Sequence, residues 1–163
     1  MTVPGEAPPG EAPAEDGKRI LPPWVFLGAL VAMGALHQLV PEPELVPAPW
    51  NHIGWLPFAA AVALAFHVKF RFDKLGTPIR PFETSTVLVT DGPFAWSRNP
   101  IYLGMVVGLL GIAVVLGTPM PLVVAPAFAW IVQRRFIAVE EQMLEDAFGD
   151  DYRAYKASVR RWI

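Results

Sequence analysis

The octapeptide SRNPIYLG, Ser97 to Gly104, places an arginine, an asparagine and a proline directly before a long apolar run. Pro100 disfavours the α conformation at Asn99, so the sequence predicts a helix that begins at Pro100 with Asn99 as its N-cap. The free N–H groups of a helix start attract anions, and the guanidinium of Arg98 can bind a carboxylate or a phosphate. This stretch therefore predicts a site for a negatively charged group.

A pair of acidic residues, Glu140 and Glu141, follows the last apolar block of the chain. Carboxylates accept hydrogen bonds from cationic groups and from hydroxyls. Two tyrosines, Tyr152 and Tyr155, follow at helical spacing, so they share one helix face. These residues also have structural interpretations, in which the glutamates form a solvated helix surface and the tyrosines dock the last helix.

The octapeptide has structural interpretations as well. Arg98 can extend to lipid phosphates at the membrane surface, and Asn99 with Pro100 can simply cap a helix. Gly104 can serve close packing against another helix instead of contact with a ligand. The residues alone leave these alternatives open.

Composition places these residues in a membrane protein. Of the 163 residues, 53% are hydrophobic and 17% are charged, whereas soluble domains carry about 25% charged residues. The net charge is −2 and no basic stripe is interleaved with aromatics, so nucleic acid is not expected as a partner. The absence of Cys excludes disulfides and thiolate metal sites, and the spacing of His37 and His67 supports no metal site.

Four apolar blocks predict an all-α integral membrane bundle of four transmembrane helices. Such helices need roughly 17–25 residues, and the blocks cover about 21–40, 53–68, 101–117 and 120–137. Residues 138–160 are expected to form C-terminal helices on the cytoplasmic side. Residues 1–19, rich in Pro, Gly, Ala and Glu, are expected to be a disordered cytoplasmic tail ahead of one domain over 20–163.

All thirteen Lys and Arg residues fall on one side of this four-span arrangement. They occur in the N-terminal tail, between the second and third blocks, and at and after the end of the fourth block. The other two connections, PEPELVPAPWN and TP, carry none. Since positive charges stay in the cytoplasm, we expect a plasma (inner) membrane protein with both termini cytoplasmic.

The C-terminal half, from roughly Gly76 to Ile163, resembles the isoprenylcysteine carboxyl methyltransferase-like membrane enzymes, which are related to phospholipid methyltransferases. Their pattern is Arg-His-Pro-x-Tyr-x-Gly, then Glu-Glu-x-x-Leu, then Phe-Gly-x-x-Tyr-x-x-Tyr. The matching residues are Arg98, Pro100, Tyr102, Gly104, Glu140, Glu141, Leu144, Phe148, Gly149, Tyr152 and Tyr155. Asn99 replaces the usual His, and Phe136 stands four residues before Glu140, where the eukaryotic members have an Arg.

The resemblance implies an S-adenosyl-L-methionine-dependent methyltransferase with a cofactor pocket at the cytoplasmic membrane surface. The residues implied for cofactor binding are Arg98, Asn99, Pro100, Tyr102, Gly104, Glu140, Glu141, Tyr152 and Tyr155. Arg98, Glu140 and Glu141 are also expected to be catalytic. The expected partners are membrane lipids and a lipophilic small-molecule or lipid substrate, and the oligomeric state stays open. The alternatives are a phospholipid amine or thiol methyltransferase of the same fold, and a non-catalytic membrane protein with a structural or partner-binding role.

Reporter fusions test the predicted orientation. We expect fusions at Glu44 and Thr118 to report the non-cytoplasmic side, and fusions at Thr77 and Ile163 to report the cytoplasm, because the positive charges hold their segments inside. Alkaline phosphatase and a fluorescent protein give opposite signals on the two sides. A reversed signal at any of the four positions would break the four-span arrangement.

Overall fold

The computed structural model describes residues 20–76 and 87–163, and the regular secondary structure of this part of the chain is helical, joined by short loops. Five α-helices follow one another in the described residues: α1 Pro22–Leu39, α2 Trp55–Leu75, α3 Pro100–Leu116, α4 Val124–Val132 and α5 Ala138–Ser158. The expected disordered tail over 1–19 lies outside the described residues.

The apolar helices indicate an integral membrane bundle. Three helical stretches are long and apolar enough to cross a membrane, namely Pro22–Leu39, Trp50–Lys74 and Met120–Ser158. The fourth, α3, is apolar but has 17 residues. Large apolar side chains such as Leu27 and Phe66 are exposed on these helices, which suits contact with lipid rather than water.

The helix bounds agree with the apolar blocks except at the end of α2. The apolar pattern ends near Val68, but α2 continues to Leu75 and ends on Gly76, which has a φ of 62°. The extension is polar, and Lys69 and Asp73 form an ion pair of 2.6 Å across one helical turn. Hydropathy therefore marks the apolar part of the helix and misses its polar continuation.

The helical stretch from Met120 to Ser158 changes its geometry along its length. It starts as a 3-10 turn and continues as α4, and a π-helical turn over Gln133–Ile137 then leads into α5. A π turn carries an additional residue, so it rotates the helix that follows. Within α5, Gly149 has a φ of 53° and breaks the helix direction, so the expected C-terminal helices over 138–160 correspond to the two halves of α5.

At one end of the bundle, the loop after α1 closes over the turn between α3 and α4. The N–H of Leu45 donates to the carbonyl oxygen of Gly117 at 2.7 Å. His37 Nδ1 lies 3.0 Å from the Thr118 hydroxyl oxygen, which supports a structural role for this histidine. The carboxylate of Glu42 accepts the N–H of Met120 at 2.8 Å.

Glycines let α3 approach the chain at the start of α2. A Cβ added to Gly111 would lie 2.6 Å from the carbonyl oxygen of Gly54, closer than such atoms approach one another. Gly108 faces Ala61 of α2 on the same side of α3. Small residues at helix interfaces allow this close backbone packing inside a membrane.

This packing predicts that Gly111→Ala destabilises the bundle. The added methyl group has no space against Gly54, and we expect a loss of about 2 kcal/mol in the free energy of unfolding, as for other overpacked sites. Gly34→Ala in α1 is the matched control, because a Cβ there would meet nothing within 4 Å. Thermal unfolding in detergent measures both variants, and equal unfolding temperatures would refute the close contact.

Candidate active site

The start of α3 is tied to α5 by a buried ion pair between Arg98 and Glu141. Arg98 Nη2 and Nε donate to Glu141 Oε1 at 2.9 and 3.2 Å. The two side chains are only 9% and 7% exposed. Because a buried charge requires a partner of opposite sign, this pair fixes the start of α3 relative to α5.

Arg98 also donates hydrogen bonds to backbone carbonyl groups at the end of α5. Its Nη1 donates to the carbonyl oxygens of Lys156 and Val159, each at 2.8 Å. The last carbonyl groups of a helix lack partners within the helix and carry its partial negative charge. One guanidinium therefore joins the start of one helix to the end of another.

A second guanidinium, from Arg161, also binds Glu141. Arg161 Nε donates to Glu141 Oε1 at 3.0 Å, and Arg161 Nη2 donates to Glu141 Oε2. The Arg161 side chain is 35% exposed, so one of its faces is open to solvent or to a ligand. Sequence reasoning placed Arg161 only among the positive charges of the cytoplasmic side and missed this role, since no pattern distinguishes it from Arg160.

The C-terminal tail, residues 159–163, lies over the start of α3. The Arg98 N–H donates to the carbonyl oxygen of Arg160 at 3.0 Å. The Ser97 hydroxyl and the Asn99 side-chain amide both donate to the carbonyl oxygen of Arg161, at 3.3 and 3.2 Å. The tail thus accepts three hydrogen bonds from residues 97–99, directly before this helix.

The prediction for Asn99 is right in position and wrong in mechanism. The helix begins at Pro100 with Asn99 at the N-cap position, but the Asn99 side chain makes no capping hydrogen bond. Its amide bonds to the tail instead. The tail carbonyl thus binds the amide nitrogen and orients the side chain, and the sequence around Asn99 contains no sign of this partner.

Glu140 forms a separate pair with Tyr102. The Tyr102 hydroxyl donates to Glu140 Oε1 at 2.7 Å, and the Tyr102 ring stacks on the Phe136 ring at 6.4 Å between centroids. Glu140 is half-buried, whereas Glu141 is buried. Successive residues of an α-helix point about 100° apart, so the two neighbouring glutamates face different partners.

The two glutamates, both beyond the apolar stretch that ends at Ile137, have opposite pKa shifts. Burial raises the pKa of Glu140 above its ordinary value, and the hydrogen bond from Tyr102 offsets this only in part. Burial acts in the same direction at Glu141, but hydrogen bonds from Arg161 and Arg98 outweigh it and lower the pKa. Glu141 is therefore held ionised, while Glu140 takes up a proton more readily.

The remaining predicted residues support the helices around these pairs. Pro100 is buried at the first position of α3. Gly104 faces α2, where an added Cβ would lie 3.4 Å from Leu64 Cδ2, so the structure places it in helix packing and apart from the charged groups. Tyr155 donates its hydroxyl hydrogen to the Phe94 carbonyl oxygen at 2.7 Å, and Tyr152 packs edge-on against Tyr155.

We expect Arg98→Ala to lower the free energy of unfolding by about 3 kcal/mol, the scale of a broken buried ion pair. The substitution removes one cation from Glu141 and the donors to the end of α5. Arg160→Ala is the control, because within the described residues its exposed side chain donates a single long bond of 3.5 Å, to Ile163, and it should change stability by less than about 0.5 kcal/mol. Unfolding in sodium dodecyl sulfate, followed by circular dichroism, gives both values, and similar losses would contradict a special role for Arg98.

Comparisons with known proteins point to one family. A family model described as phospholipid methyltransferase matches residues 50–151. The protein-S-isoprenylcysteine O-methyltransferase of Tribolium castaneum is 34% identical over 73 residues, which are 45% of this chain and 26% of that protein. The protein of the same name from Saccharomyces cerevisiae (strain ATCC 204508 / S288c) is 36% identical over 77 residues, 47% of this chain and 32% of that protein. The match therefore spans between a quarter and a third of these relatives.

One solved structure is similar in fold. It is that of the eukaryotic intramembrane Ras methyltransferase, an isoprenylcysteine carboxyl methyltransferase, with a TM-score of 0.52 and 25% sequence identity. The similarity covers 83% of this chain and 46% of that one. It therefore extends beyond the C-terminal half to most of the helical bundle.

Proposed function

The chain belongs to the phospholipid methyltransferase family, and on that basis we propose that it transfers a methyl group from S-adenosyl-L-methionine to a lipophilic acceptor at the membrane. The observation that carries the proposal is the meeting of α3, α5 and the tail in one charged cluster, formed by Arg98, Glu141 and Arg161. The Tyr102–Glu140 pair joins the same two helices, α3 and α5. The Arg98–Glu141–Arg161 cluster, which contains two cations, and the Tyr102–Glu140 pair, which contains none, thus lie at the same helix junction.

The side chains at this junction fit the chemistry of the cofactor, which has a carboxylate, an ammonium, ribose hydroxyls, an adenine and a sulfonium. The partly exposed Arg161 can bind a carboxylate with two parallel hydrogen bonds. The half-buried Glu140 can accept a hydrogen bond from a neutral ribose hydroxyl beside the bond from Tyr102. The aromatic ring of Tyr102 attracts a cation such as the sulfonium.

Catalysis in this proposal is positioning. Bound S-adenosyl-L-methionine supplies an electrophilic methyl group, and the in-line displacement requires no protein nucleophile. The protein must hold donor and acceptor in line and exclude water. Arg98 and Glu141 suit that task, because their buried pair fixes α3 against α5, while Glu140, Tyr102 and Arg161 contact the ligands.

We also propose four spans with both termini in the cytoplasm. At 1.5 Å per residue, the 17 residues of α3 are about 25 Å long, close to the hydrocarbon thickness of about 30 Å. The charged cluster then lies at the inner surface of the membrane. A lipophilic acceptor reaches it sideways between the helices, which accounts for a methyltransferase built inside a bilayer.

One observation favours a second candidate, a non-catalytic membrane protein that keeps the fold as a structural or partner-binding unit. Arg98, Glu141 and Arg161 already satisfy one another through direct hydrogen bonds. A cluster of this kind can serve stability alone. Cofactor binding separates the two candidates, because only the enzyme requires it.

Calorimetry on the purified protein in detergent tests the proposal. We expect S-adenosyl-L-methionine to bind, and Arg161→Ala to weaken binding by about 1–3 kcal/mol, the range for a lost charged hydrogen bond. Arg160→Ala, which removes the neighbouring exposed guanidinium, should leave binding unchanged. An unfolding measurement on each variant confirms that the protein is folded. Absence of binding heat for the unmutated protein would favour the non-catalytic candidate.

A further inference from the structure

We propose that Glu140 receives a proton from the methyl acceptor, so that the acceptor atom is a thiol, amine or hydroxyl of a lipophilic molecule and not a carboxylate. This inference rests on the proposed function and extends it to the class of acceptor. It also assigns different roles to the two neighbouring glutamates.

The first support is the contrast in charge between the two glutamates. Glu141 is bound by Arg98 and Arg161. Over residues 20–76 and 87–163, no Lys, Arg or His forms an ion pair with Glu140, whose hydrogen-bond partner is the neutral Tyr102 hydroxyl. Among the described residues, the negative charge of Glu141 is therefore compensated by cations, and that of Glu140 has no such partner.

The second support is the surroundings of Glu140. Tyr102 and Phe136 are buried, and their stacked rings form an aromatic wall beside the carboxylate. Charges interact strongly where apolar groups exclude water. A carboxylate acceptor at this place would be repelled, and the described residues bring no cation to Glu140 to offset the repulsion. A neutral or positively charged group with a proton would instead donate a hydrogen bond.

The third support is that Glu140 has both access and an available oxygen. The residue is half-buried, so part of it is open to an incoming group. Tyr102 bonds to Oε1, and within the described parts of the chain Oε2 has no hydrogen-bond donor. Burial raises the pKa of Glu140, which moves this carboxylate towards the range in which a general base works near neutral pH.

The proposed step balances in atoms and charge. The acceptor atom forms a bond to the methyl carbon while the carbon–sulfur bond of the sulfonium breaks, and the sulfur keeps the electron pair. The acceptor proton passes to Oε2 of Glu140, which later releases it to solvent. A carboxylate acceptor has no proton to release, so it would give Glu140 no such role.

Glu140→Gln tests the inference, because it keeps the shape of the side chain and an acceptor for the Tyr102 hydroxyl but removes the base. Asp146→Asn is the matched control, an exposed carboxylate of the same helix that accepts a hydrogen bond from Gln142. Each protein is assayed with methyl-labelled S-adenosyl-L-methionine and three acceptors: dodecanethiol, dodecylamine and dodecanoate. We expect the unmutated protein and Asp146→Asn to methylate the thiol or the amine but not dodecanoate. Glu140→Gln should lose about 100-fold or more of that rate, the scale of general base catalysis.

A second measurement needs no cofactor and no turnover. In lipid nanodiscs, dodecylamine, which is a cation at neutral pH, should raise the unfolding temperature of the unmutated protein more than dodecanoate does. The difference should vanish in Glu140→Gln and persist in Asp146→Asn. If none of the three acceptors is methylated, the unfolding temperatures decide whether the inference holds. Equal rises in unfolding temperature with dodecylamine and dodecanoate would overturn it.

The outcomes separate the inference from the proposed function. Calorimetry of the unmutated protein with S-adenosyl-L-methionine comes first, and absence of binding would overturn both. Binding with methylation of dodecanoate at the rate of the thiol or amine would overturn the inference alone. Full activity of Glu140→Gln would do the same, since a required base would then be absent without effect.

Discussion

A carboxylate buried between helices must be compensated by cations, and this constraint at Glu141 organises the C-terminal half of the protein. Arg98 reaches it from the start of α3, and Arg161 reaches it from the tail. Because both guanidinium groups bind one carboxylate, α3, α5 and the tail are held as a unit. Arg98 adds its bonds to the last carbonyl groups of α5, so the end of that helix is fixed by the same contact.

Beside this cluster lies Glu140, a carboxylate whose hydrogen-bond partner is neutral. Because successive residues of a helix point in different directions, Glu141 faces the arginines and Glu140 faces Tyr102. The hydrogen bond to Glu140 comes from the neutral Tyr102 hydroxyl. Burial without a cation raises the pKa of Glu140, whereas the arginines lower that of Glu141. Neighbouring residues of one type thus acquire different chemistry from their partners, one suited to holding helices together and the other to exchanging a proton.

Hydropathy and local rules located the apolar parts of the helices. The apolar blocks located them, and the Asn99-Pro100 pair located the start of α3. The polar end of α2 was missed because its ion pair lies outside any apolar pattern. The spacing of Gly104 was compatible with a ligand contact or with packing, and only the position of α2 places it in packing.

The sequence indicated several residues of the charged cluster, but not how they pair. Family motifs indicated Arg98, Glu140 and Glu141, yet which glutamate faces the arginine depends on the π-helical turn over Gln133–Ile137. That turn has no clear sequence signal. Arg161 was missed because its role exists only once the tail folds back over α3, a contact between residues far apart in the chain.

The most direct test of the central claim is a double-mutant cycle between Arg98 and Glu141. Arg98→Met, Glu141→Gln and the double variant are compared with the unmutated protein by the free energy of unfolding in mixed micelles. We expect a coupling energy of about 2 kcal/mol, within the range for residues that share a buried ion pair. Additive losses, within about 0.5 kcal/mol, would show that the two side chains do not stabilise one another and would contradict the account.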